Sequence, residues 1–157
     1  MKQGMKRTAL VLLVAAAALA ADKPDFTGYW ELNIGKSKFG KMPKPVRMAL
    51  NAAREGDRLK AEQTSWDNEG HQSVTGTWYL DGKDHPAEAA SQALEKTWWQ
   101  GNTLVNEKKS LDRTFVENVR MTLSSDGKTA TEVVRVKSPN GDNTEVLVWE
   151  KRSKPVN

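Results

Sequence analysis

Phe26-Thr27-Gly28-Tyr29-Trp30-Glu31-Leu32 alternates with a period of two. Phe26, Gly28, Trp30 and Leu32 share one face and Thr27, Tyr29 and Glu31 the other, the pattern of a strand with one side turned to a core. A glycine beside a large indole gives up packing at its own position, which suits a place where another backbone or ring comes close. The rest of the chain is read outward from this strand.

Upstream, Lys2, Lys6 and Arg7 form a basic head, Thr8 to Ala17 is an apolar and small-residue run, and Ala18-Leu19-Ala20 supplies a small-x-small cleavage pattern. Residues 1–20 therefore read as a secretory signal peptide, with a single domain over 21–157 and a secreted or periplasmic destination. The apolar run is too short for a comfortable permanent span, so no stable membrane anchor is expected after cleavage. The chain contains no cysteine, which rules out disulfides and a lipid-modified cysteine alike. An exported domain of this kind relies on its own core, and about 135 residues suffice to bury one.

Charge excludes one function class. The whole chain has 24 basic and 20 acidic residues, and residues 1–21 hold three of the bases and none of the acids, leaving 21 against 20. A near-neutral domain gives no electrostatic footprint for nucleic acid. Basic residues do concentrate between Lys36 and Lys60, including Lys41, Lys44 and Arg47, whereas Ala61 to Glu95 is mostly acidic. Cross-strand pairing of opposite charges is the plain reading of such a distribution.

Downstream, Asn33 to Pro45 reads as a loop, with Phe39 and Met42 as its large apolar groups. From Val46 onward, short half-apolar runs end at Glu55-Gly56-Asp57, Asp67-Asn68-Glu69-Gly70, Asp81-Gly82-Lys83, Gln100-Gly101-Asn102, Ser124-Ser125-Asp126-Gly127 and Pro139-Asn140-Gly141-Asp142. Such turn chemistry joins antiparallel neighbours. The expectation is an all-β, antiparallel up-and-down meander of about eight to ten strands closed into a barrel, because sequential hairpins favour closure and closure removes exposed edges. The stretch 87–93, Ala-Glu-Ala-Ala-Ser-Gln-Ala, breaks the rhythm and predicts a short helical turn by propensity.

In such a meander, Phe26-x-Gly28-x-Trp30-x-Leu32 resembles the first strand of the calycin superfamily, the lipocalins and fatty-acid-binding proteins. Lys36-Ser37-Lys38-Phe39-Gly40, Trp99-x-Gly101-x-Thr103-Leu104 and Leu123-Ser124-x-Asp126-Gly127-Lys128-Thr129 extend the likeness to exported bacterial lipocalin-like proteins of unassigned function. The resemblance implies that Gly28 and Trp30 close the narrow end of the barrel, with a basic side chain of the last strand, Arg152 or Lys151, over the indole as a cation–π contact. It also exposes a departure. Fatty-acid-binding proteins hold a carboxylate with an Arg-x-Tyr pair in the last strand, and Val146-Leu147-Val148-Trp149-Glu150 contains no arginine.

Catalytic groups are scarce. Without cysteine, and with His71 and His85 outside any nucleophile motif, the sequence points away from an enzyme. It shows no metal-ligand spacing and no phosphate-binding glycine loop, and no cofactor is expected. Aromatic surface remains. Trp78 alternates with Val74 and Gly76 and is placed inward; Trp98 and Trp99 must face opposite ways, and Trp99 is placed inside with Phe115, Val119 and Met121. Glu117 and Glu132 fall on inward faces, where a charged group needs a partner or a wet cavity. Trp78, Trp99, Phe115, Glu117, Val119, Met121 and Glu132 are thus the candidate cavity lining for a small apolar ligand. The alternative is a filled barrel acting through its surface as a cell-envelope interaction or inhibitor module, with its protein partner unknown.

Overall fold

The computed structural model describes residues 22–87 and 92–153. Ten strands alternate through them: β1 (Gly28–Leu32), β2 (Arg47–Glu55), β3 (Arg58–Trp66), β4 (His71–Tyr79), β5 (Asp84–Pro86), β6 (Ala93–Gln100), β7 (Thr103–Ser110), β8 (Val116–Leu123), β9 (Thr129–Lys137) and β10 (Asn143–Arg152). All pairings are antiparallel. The sheet runs β4-β3-β2-β1-β10-β9-β8-β7-β6-β5, so β1 joins the first hairpins to the last strand. Its two ends meet without a ladder: β4 packs beside β6, and the Gly82 N–H donates to the Thr97 carbonyl at 3.0 Å. The result is a nearly closed barrel.

No helix occurs among the described residues. The helical turn expected at 87–93 falls on residues 88–91, which lie outside them, and its flanks follow the sheet instead. Ala93 opens β6, and the Ala87 N–H donates to the Ala93 carbonyl at 3.0 Å, continuing the pairing of β5 with β6. Alanine propensity is weak here against a ladder already in register.

One end of the barrel is packed solid. Phe26, Trp30, Leu32, Leu104, Met121, Ala130, Leu147 and Trp149 form one cluster, with Trp30 and Trp149 each only 1% exposed. The segment before β1 folds across this end. Phe26 stacks on Trp99 with ring centroids 6.2 Å apart, the Trp30 indole N–H donates to the Phe26 carbonyl at 2.9 Å, and Lys23 Nζ donates to the Gly101 carbonyl at 2.9 Å. Both indoles thus bury their apolar area while their N–H groups keep acceptors.

After Leu32 the chain runs along β10. The Asn33 N–H donates to the Val148 carbonyl at 2.7 Å, and Lys38 and Val146 exchange backbone hydrogen bonds at 2.7 and 2.8 Å. Phe39 packs against the core cluster. Met42 is 55% exposed and belongs to the lining of the cavity described next.

Candidate functional site

Above the packed end the barrel is hollow, with a cavity of about 500 Å³. Strand alternation decides what faces it. From β2 to β4 come Met48, Leu50, Ala52, Leu59, Ala61, Val74 and Trp78, a largely apolar wall broken by Gln63, Thr75 and Thr77. From β6 to β10 come Val119, Met121, Val134 and Leu147 interleaved with Glu95, Lys108, Glu117, Glu132 and Glu145. Trp30 and Trp149 form the floor.

Register explains how the charges meet. Glu95 on β6 lies directly opposite Lys108 on β7, and Lys108 lies opposite Glu117 on β8. Lys108 Nζ sits 3.1 Å from Glu117 Oε1. Glu132 on β9 accepts the Trp149 indole N–H at 2.8 Å, and Glu145 on β10 accepts the Asn143 side-chain amide at 3.1 Å. Desolvation inside the barrel pushes the Glu132 carboxyl up to about 7, with Glu117 and Glu145 adding to the rise and the Trp149 hydrogen bond opposing it. Glu95 and Glu145 are also raised, first by burial and then by the charge of Glu117, against the donors that each accepts. A carboxyl whose charge is disfavoured by a low-dielectric wall and by like neighbours holds its proton to higher pH.

Of the residues singled out in the sequence, the structure places Trp78, Glu117, Val119, Met121 and Glu132 on the cavity wall. Trp99 faces inward but lies below the cavity, stacked on Phe26, while Trp98 turns outward with Lys96 Nζ 5.7 Å from its ring. Phe115 is outside the lining. It precedes β8, in a turn held by Ser110 and Asp112, where its N–H takes the Ser110 hydroxyl as acceptor at 3.0 Å. Arg152 does not cover Trp30; it faces outward, 3.4 Å from Glu31 Oε2 and 3.0 Å from Glu150 Oε2. Lys151, directly opposite Trp30 in the ladder, puts Nζ 5.2 Å from the indole centroid. Gly28 makes room, since a Cβ there would stand 2.8 Å from Lys151 Cε. His85 stacks on Tyr79 with centroids 4.0 Å apart and bonds Asp81 at 3.0 Å, and His71 is exposed.

The sequence reading omits Glu95, Lys108, Glu145 and, apart from Trp78 and the Val74 and Gly76 of its face, the wall from β2 to β4. Glu95 shares a face with Thr97 and Trp99, and Glu145 with Leu147 and Trp149, so alternation alone was enough to find both. Lys108 becomes visible only with the register of β7 against β8, which the sequence does not print.

No protein-family model and no curated protein matches the sequence. Solved structures do match. Fatty-acid-binding protein 1 of Echinococcus granulosus is 17% identical with a TM-score of 0.59, over 82% of this chain and 98% of that one. The barrel is calycin-like. Secretory abundant heat soluble protein 4 of Ramazzottius varieornatus is similar at 15% identity and TM-score 0.59, over 83% of this chain and 96% of that one. The zebrafish ileal bile acid-binding protein, solved with cholic acid, is similar at 15% identity and TM-score 0.56, over 81% and 98%. At such identities the likeness carries the calycin-like fold and not the residues of a site.

Proposed function

We propose that this protein is an exported binding protein that holds a small, largely apolar ligand in its barrel without turning it over. The cavity of about 500 Å³ carries the reading: it lies within the size range of small-molecule sites, and one wall is largely apolar with polar groups opposite. Neighbours named for fatty-acid and bile-acid binding support the same use of the hollow. A barrel acting only through its surface has no need of such a space, whereas small barrels without ligands are filled by side chains. Among the described residues, no three His, Cys, Asp or Glu side chains group as a metal site.

Purified mature protein titrated with a neutral fluorescent apolar probe is expected to bind it saturably, one molecule per chain. Native mass spectrometry of protein taken from its source is expected to show a bound small molecule. Probe fluorescence that never saturates, with no co-purifying ligand, contradicts the reading. Export is tested separately by the N-terminus of protein recovered outside the cytoplasm, which is expected just after Ala20.

A further inference from the structure

We propose that the cavity selects amphiphiles whose polar end is a cation, an alkyl or aryl amine, over those that end in a carboxylate. The inference rests on reading the cavity as a ligand site and adds the chemistry of its polar end.

Charge in the lining is lopsided. Among the described residues of the lining, four carboxylates, Glu95, Glu117, Glu132 and Glu145, face one ammonium, Lys108, and none is an arginine. Lys108 is already committed to Glu117 at 3.1 Å. The other polar partners are neutral donors: the Trp149 indole for Glu132, the Asn143 amide for Glu145, and the Asn106 amide and Trp78 indole acting on Glu95. Such donors orient a carboxylate but do not cancel its charge. On the same inward face, Asn106 is 1% exposed and its Oδ1 has no hydrogen-bond partner. This wall therefore offers more acceptors than donors.

A ligand carboxylate entering here meets like charge, and among the described residues of the lining Lys108 is the one cation to receive it. An ammonium meets the opposite. Its apolar body fits Met48, Leu50, Leu59 and Trp78 on the facing wall. An inorganic cation fits less well. The carboxylates are spread over β6, β8, β9 and β10, and among the described residues no three His, Cys, Asp or Glu side chains converge as a metal group.

The groups around Glu132 also set a pH signature. It faces Glu117 and Met121 from β8, and Glu145, Leu147 and Trp149 from β10, with Glu95 and Lys108 on the same cavity wall. Its raised carboxyl must be ionised to pair with an ammonium, so cation affinity rises with pH through about 7.

The test uses the mature protein and displacement of the neutral fluorescent probe by decyltrimethylammonium and by decanoate, both above pH 7. The ammonium is expected to bind at least about tenfold more tightly than the carboxylate. Glu132→Gln with Glu145→Gln is expected to shrink that ratio and Lys108→Gln to widen it, opposite movements that misfolding does not produce. Weakening of the ammonium alone between about pH 8 and about pH 6 is expected as well. Decanoate binding as tightly as the ammonium, or a ratio that ignores the glutamate substitutions, overturns the cation assignment while the saturating probe leaves the apolar site standing. Failure of the neutral probe itself to saturate overturns both.

Discussion

Lys151 lies over the Trp30 indole because Gly28 leaves the space open. Gly28 has φ of 118°, a conformation that side-chain-bearing residues rarely adopt. Gly28→Ala therefore combines strain with a clash against Lys151, and urea unfolding is expected to show a loss of about 1–3 kcal/mol. Trp30→Ala empties the floor of the barrel and is expected to cost about 3–5 kcal/mol in the same experiment. Glu132 makes a prediction in pH. Its carboxyl titrates near 7 in the folded protein against 4.5 as its ordinary value, so the folded state holds this proton where the unfolded chain has lost it. The resulting stability is full below about 4.5 and is lost as pH rises through about 7, by about 3 kcal/mol at most. Unfolding free energies measured across that window are expected to fall for the native protein and to fall less steeply for Glu132→Gln, where Glu95 and Glu145 remain raised. An unchanged slope in the variant places the titrating group elsewhere.

At the scale of elements, the segment from Asn33 to Phe39 behaves as an extra edge laid along β10. Gly40 ends it with φ of 58°, and a Cβ there would run into the Asn143 amide and the Thr144 carbonyl. Gly40→Val is expected to break the hydrogen bond from the Lys41 N–H to Asn143 Oδ1 and to speed hydrogen exchange at Lys38 and Val146, whose backbones pair, while β8 and β9 exchange as before. Much of this scale was legible in the sequence. Period-two alternation and Gly-, Asn- and Asp-rich turns mark most of the strands because both follow from local backbone chemistry. Two misplacements show where locality ends. Phe115 looks like the start of a strand, yet the turn from Ser110 to Phe115, in which Arg113 takes φ of 60°, uses up the chain until Val116. Arg152 and Lys151 differ by one residue, and a shift of one flips a side chain to the other face. The sequence offered both cations; only the pairing of Trp30 with Lys151 selects one.

At the scale of the molecule, a hollow is a property of the closed sheet and not of any segment. Glu117 and Glu132 hinted at it, since acids on inward faces need company or water, but the balance of four carboxylates to one ammonium emerges only when β6, β7, β8, β9 and β10 curl around one space. The aliphatic wall opposite was hidden for a different reason: Met48, Leu50 and Ala61 are ordinary strand residues until closure turns them toward the acids. The central claim is that this space holds the ligand. Ala61 lines it from β3 and packs beside the core cluster, so Ala61→Trp fills the hollow from a position that has room for a larger side chain. The decisive measurement is titration of a neutral apolar fluorescent probe into the native protein and into Ala61→Trp, with circular dichroism confirming that both are folded. Saturation at one probe per native chain, with affinity reduced at least about tenfold in the folded variant, is the predicted result. Equal affinity in the two proteins, or no saturation in the native one, contradicts it.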